Sequence, residues 1–178
     1  KNDIGYNILL EKYGIKVNHD LIQDQVCTNT PVISPYGTLL AEWVYNPLIK
    51  SNHNHLITIE LDSILTHFVS SIDVINKNKT NILLSSSNNS NILNSGENVN
   101  LEIIKSESNK FSGEKVMAVL IEDKFKSIFE NIPYLKIDNE IILCKEFLKE
   151  SKENKMIVIS DGDIIKNGYI HQNNRYLP

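Results

Sequence analysis

The stretch KVMAVLIE, Lys115–Glu122, decides how the rest of the chain is read. Its central residues, Val116–Ile121, are all apolar, so no polar position remains on either side of a strand built from them. Such a run is the pattern of a strand buried on both faces. A second run, KMIVIS (Lys155–Ser160), reads the same way. Strands covered on both faces need helices packed on both faces of a sheet, which predicts an α/β class.

Working outward, Ile4, Ile8, Leu9 and Tyr13 recur at helical spacing, with Gly14 as the C-terminal cap. IKVNHDLIQDQVC (Ile15–Cys27) reads as extended chain ending in the turn TNTP, and GTLLAEWVY (Gly37–Tyr45) as a strand stopped by Asn46-Pro47. Between Leu56 and Ile75 we expect a turn, a brief helix over Ser63–Phe68 and a strand over Ser71–Ile75. TNILLSSS (Thr80–Ser87) is a further strand. The tetrapeptide NKNK (Asn76–Lys79) looks like a hairpin tip, which makes these two strands antiparallel and the sheet mixed. The Asn- and Ser-rich segment Asn88–Asn100 reads as a mobile loop, KFKSIFENI (Lys124–Ile132) as a helical turn or two, and NEIILCKEFLKES (Asn139–Ser151) fits either helix or strand.

A chain of 178 residues, 41% hydrophobic and 22% charged, suits one globular domain with a proper core. Its net charge of −4 lacks the basic stripe of a nucleic-acid surface, and its lysines lie scattered among acids with no polybasic membrane patch. The longest apolar runs fall well short of the roughly 20 residues of a membrane helix, and no signal peptide is evident. The absence of an initiating methionine suggests a piece of a longer protein. Cys27 and Cys144 lie far apart without a CxxC spacing; they could pair, but two free, buried thiols are the better reading.

Candidate chemistry is sparse. In SDGD, Asp161 and Asp163 flank Gly162 where an apolar strand ends, a spacing at which two carboxylates can converge on a hard cation. The DxSxS string that completes the metal site of von Willebrand A-type domains is missing, and the register does not fit the aspartate pair of haloacid-dehalogenase enzymes. The plainer reading is a turn begun by Asp161, with Gly162 at positive φ and Asp163 capping a short helix. Ser85, Ser86 and Ser87 sit at the end of a strand, a place where open α/β sheets bind ligands. No glycine flanks them to form a nucleophile elbow, so a polar loop competes with a phosphate- or sugar-binding reading. His53 and His55 form H-x-H without a nearby third ligand, in a segment that reads as a turn; His19, His67 and His171 stand alone. Cys144 has no elbow around it. No P-loop or GxGxxG occurs, and no cofactor, metal site or catalytic residue is expected.

Taken in order, LLEKYGIKVNHDLIQDQVC (Leu9–Cys27), NHLITIELDSILTHFVSSIDVI (Asn54–Ile75), TNILLSSS (Thr80–Ser87), VMAVLIEDKFKSIF (Val116–Phe129) and KMIVISDGDIIKN with NNRYLP (Lys155–Asn167 and Asn173–Pro178) resemble the soluble region of the GldG family of gliding-motility proteins. These are auxiliary, substrate-binding-type components of ABC transport systems. The resemblance implies a single extracytoplasmic α/β domain over residues 1–178, at the periplasmic face of the inner membrane and anchored by segments outside this stretch. It further implies a three-layer, mostly parallel sheet of the Rossmann-like, class I glutamine-amidotransferase-like kind without the catalytic residues. A permease subunit and a cytoplasmic ATPase subunit would be its partners. One departure is Asp123, where relatives commonly carry glycine. The alternative is a module that binds a small ligand or divalent metal at the carboxyl edge of the sheet, through Ser85–Ser87, Asp161 and Asp163.

Overall fold

The computed structural model describes residues 5–51, 55–99, 111–143, 148–166, 170–172 and 175–177. A short helix, α1 (Tyr6–Lys12), precedes β1 (Ile15–Val17) and β2 (Asp20–Asp24). A long hairpin follows, made of β3 (Cys27–Ser34) and β4 (Gly37–Ser51), and then two short strands, β5 (Ile64–Leu65) and β6 (Ile72–Val74). β7 (Thr80–Ser85), β8 (Ser90–Asn94) and β9 (Val116–Lys126) come next, then a hairpin of β10 (Tyr134–Ile137) and β11 (Glu140–Leu143). β12 (Glu150–Ile159) and the pair β13 (Ile170–Gln172) and β14 (Arg175–Leu177) end the chain.

The main sheet has the order β12-β9-β7-β4-β3, with β5 beside β4. Every strand pairing among the described residues is antiparallel. The expected three-layer α/β architecture with a mostly parallel, Rossmann-like or glutamine-amidotransferase-like sheet is therefore not what this chain forms. Parallel neighbours need crossovers of a dozen or more residues, usually helical. Here the one helix among the described residues is α1, seven residues long, and it precedes the first strand.

β9 is nonetheless covered on both sides, as its apolar run requires. Ala118 and Leu120 pack with Ile22, Ile49, Leu83 and Leu84, while Val119 and Ile121 pack with Ile15 and Ile72. The covering layers are small β-ladders instead of helices. β1 pairs with β6 beneath α1, and β2 pairs with β8. The second core is extended by Leu10 and Tyr13, the latter meeting Phe125 edge-on at 4.9 Å. A third cluster joins Val44, Tyr45 and Leu93.

The companion run KMIVIS behaves differently. β12 is the sheet's edge, and Ile157 and Ile159 face outward while Met156 and Val158 are half-buried. An apolar run is thus compatible with an edge strand, and burial on both faces belongs to β9 alone of the two.

Other local expectations change for identifiable reasons. Ser63–Phe68 contains β5, which pairs with Leu48 and Ile49 of β4. β4 runs through Asn46-Pro47 because a register break opposite Cys27 and Asn29 accommodates the proline, whose carbonyl accepts Thr66 N at 3.1 Å. NKNK is a turn between strands that do not pair with each other, since β6 joins β1 and β7 joins β4 and β9. Asn88–Asn100 holds β8, and Asp123 continues β9 opposite Asn154 without a turn. Lys124–Lys126 also belongs to β9, with turns only from Ile128. Asp138 and Asn139, at φ 48° and 70°, make the two-residue turn of the β10–β11 hairpin.

Gly14 is the capping residue expected after the first helix. Its φ is +87°, and a Cβ there would lie 2.6 Å from Asn76 Cβ. Its carbonyl accepts both Ile75 N and Asn76 N, so the end of α1 is fastened to the end of β6.

Candidate functional site

The residues singled out from the sequence lie at one end of the main sheet. β7 ends at Ser85 opposite Val116, and β12 ends at Ile159 opposite Ala118, so both groups flank the start of β9. What each does there is set by its hydrogen bonds.

Asp161 is 5% exposed. Its Oδ2 accepts His67 N at 3.0 Å and its Oδ1 accepts Asp163 N at 2.7 Å. The adjoining Ser160 hydroxyl donates to Ser70 O at 2.6 Å. Ser160 and Asp161 thus tie the end of β12 to the segment between β5 and β6. The Asp163 carboxylate turns outward to Lys166 Nζ at 2.5 Å. The two carboxylates therefore do not converge. Among the described residues no group of three or more His, Cys, Asp or Glu side chains is placed to hold a metal ion. The turn expected at Asp161 forms, but Gly162 is not at positive φ, and Asp163 starts a single turn closed by Lys166 N at 2.9 Å.

The three serines are likewise engaged. Ser85 Oγ donates to Glu114. Ser86 Oγ pairs with Ser90 Oγ at 2.7 Å and accepts Lys115 N at 2.8 Å. Ser87 directs both N and Oγ at Asp24, each at 2.6 Å. The Asp24 carboxylate, fully buried, also accepts Val26 N at 2.9 Å. Ser90 Oγ completes the set by donating to Gly113 O at 2.8 Å. The network joins β2, the β7–β8 turn and the approach to β9. Asp24 and Glu114 had no mark in the sequence, because each meets its serine only through the tertiary fold, whereas Ser90 meets Ser86 across the short β7–β8 turn.

Among the described residues no histidine side chain hydrogen-bonds these serines, so none of those histidines is placed as a general base of the serine-hydrolase kind. His55 Nδ1 accepts Ile57 N at 3.2 Å within a turn, as its setting suggested. His53 and Cys144 lie outside the described residues. Cys27 is a free thiol, half-buried; burial, then the Glu42 carboxylate, pushes its pKa up.

Two grooves lie away from these clusters. A shallow groove of about 320 Å³ runs over His19, Asp20, Ser70, Asn94 and Glu97, beside the β2–β8 ladder. Another of about 340 Å³ follows the charged rungs of β9 and β12, from Glu122 and Lys155 to Lys124 and Glu153. In it Lys155 pairs with Glu122 at 2.5 Å, and Asp123 pairs with Lys79 at 2.6 Å. The Lys79 hydrogen bond holds the Asp123 carboxyl below the usual carboxylate range. Neither groove is lined by the serines or by Asp161 and Asp163.

This is a β-rich domain whose polar clusters hold strands together. The chain belongs to the family described as an ABC-type uncharacterized transport system, whose model matches residues 3–177. No curated protein and no solved structure matches it. Family membership makes it an auxiliary part of an ABC-type transport system and gives it a membrane-related location. Among the described residues no helix is long and apolar enough to cross a membrane.

Proposed function

We propose that this chain is a single, non-catalytic extracytoplasmic domain of an ABC-type transport complex, held at the periplasmic face of the inner membrane. It works by protein contact, or by binding a ligand, beside a permease subunit in a complex that also holds a cytoplasmic ATPase subunit on the other side of the membrane. The family match along nearly the whole chain is the observation that carries this reading. The engagement of Ser85–Ser87, Asp24 and Asp161 in strand-to-strand hydrogen bonds supports it, since these groups have little left to offer a substrate. The same engagement weakens the ligand- or metal-binding alternative. A role in gliding motility or surface-protein export rests on the ordered resemblance of the five sequence segments to the GldG family.

The test is affinity purification of the full-length parent from detergent-solubilised membranes. Recovery of a multi-spanning permease and an ATPase in stoichiometric amounts is the expected result. Recovery of neither, from membranes in which both are present, overturns the reading.

A further inference from the structure

The distal half of the β3–β4 hairpin stands apart from the rest of the sheet. β4 pairs with β5 and β7 only from Leu48 to Ser51, whereas Gly37–Ala41 pairs with β3. From Gln25 to Ala41 the sequence holds no charged residue. At the chain's average charge content about four would be expected in such a stretch. Large apolar side chains stand in water there, Ile33 90% exposed, Tyr36 97% and Leu40 72%, beside the uncharged Asn29 and Thr38.

Register shows how they are arranged. Residues opposite one another across a ladder share a face, and successive residues alternate. Pro31 and Leu40 therefore point one way together with Ile33, and Val32 and Leu39 point the other way, with Tyr36 at the tip. A groove on a protein partner covers one face of such an arm. A surrounding apolar medium covers both. Pro31 supplies no N–H, which blunts the β3 edge as a template for another strand.

We infer that this hairpin is an insertion arm for the interface of a lipid bilayer. Five residues of extended chain between Tyr36 and Ala41 reach roughly 17 Å, enough to pass the 5–10 Å depth at which interfacial segments lie. The arm does not cross the membrane, because its open backbone edges need water or headgroup partners. Tyr36, with an apolar ring and a hydroxyl, suits that boundary, and the chain's single tryptophan, Trp43, stands at the arm's base against Phe68 at 6.2 Å. With Asp24 and Glu42 flanking the uncharged stretch and a net charge of −4, the arm has no electrostatic pull toward anionic lipid. Zwitterionic phosphatidylcholine, with no net charge, is sufficient, and added phosphatidylglycerol does not strengthen binding. The inference takes from the proposed function only the nearness of a membrane.

Flotation of the chain with phosphatidylcholine vesicles tests it, comparing the unaltered protein with Tyr36→Asp, Leu40→Asp and the control Ile157→Asp on β12. Near-ultraviolet circular dichroism confirms that each variant is folded. The arm variants should each lose vesicle binding by about tenfold, as expected when a charge replaces an inserted apolar side chain, and the control should bind as before. A Tyr36→Trp, Trp43→Phe protein should show fluorescence quenched by brominated phosphatidylcholine. Equal flotation of all variants, or no flotation of the unaltered chain, overturns the inference. So does binding that requires phosphatidylglycerol, or an arm that governs self-association in sedimentation velocity without lipid. Because the assay uses the chain alone, its failure leaves co-purification of the transport subunits untouched.

Discussion

Asp24 and Ser87, 63 residues apart in sequence, are joined by two hydrogen bonds, from Ser87 N and Ser87 Oγ, to one fully buried carboxylate. Removing that carboxylate leaves the Ser87 and Val26 donors without an acceptor. Asp24→Ala should lower stability by about 2–4 kcal/mol, read as a fall in the urea midpoint without a change in slope.

Asp161 and Asp163, two residues apart, should respond unequally to substitution. Asp161→Ala opens the His67 and Asp163 backbone bonds and should cost about 1–3 kcal/mol. Asp163→Ala removes an exposed ion pair and should change stability by no more than about 0.5 kcal/mol. Millimolar calcium, magnesium or manganese should move the melting temperature by less than about 1 °C, because the carboxylates do not share a ligand position. A clear upward shift that disappears in Asp161→Ala would restore the metal-binding reading.

Gly14→Ala and Gly162→Ala form a second contrasting pair. The first forces a side chain into a left-handed backbone and against Asn76, and should destabilise by about 2 kcal/mol or more. The second meets open space at an ordinary φ and should be near neutral in thermal melts.

Thr80 Oγ1 is buried without a hydrogen-bond partner. Thr80→Val keeps the shape and removes the desolvated hydroxyl, so stability should hold or rise by up to about 1 kcal/mol in chemical denaturation. A loss greater than that would mean the hydroxyl has a partner in solution.

The Cys27 thiol, raised in pKa by burial and by Glu42, should alkylate slowly at neutral pH. The folded pKa lies above the unfolded one, so the uncharged thiol is the form the fold favours. This stabilising difference is full below the unfolded pKa and is lost as pH rises through the folded value. In a Cys144→Ser background, the iodoacetamide rate should climb at higher pH than for a free thiol, and Glu42→Gln should move the profile downward.

How much of this was legible beforehand differs from element to element. β9 could be read directly, since Val116–Ile121 has no polar position to give to water. Its direction relative to its neighbours could not, because an apolar run carries no period-2 signal to separate a parallel from an antiparallel setting. The better clue was that the helices read between strands, over Ser63–Phe68 and Lys124–Ile132, were too short to serve as crossovers, which need a dozen or more residues. KMIVIS resembles β9 letter for letter in character, yet among the described residues β12 has a neighbour on one side only, and a short window does not record that. Gly14 was readable because its constraint is local. The serines were read as a site on the strength of where their strand ends. Their partners Asp24 and Glu114 become visible only once β2 and the approach to β9 are folded beside them.

The burial of β9 on both faces has a consequence for how the domain comes apart. The core under α1 and the core beside the β2–β8 ladder lie on opposite sides of this one strand, with Val119 and Ile121 serving the first and Ala118 and Leu120 the second. Loosening either core strips one side of β9 and slackens the backbone on which the other is mounted. The two cores should consequently melt as one cooperative unit, and the β9 amides should be among the last to exchange with solvent.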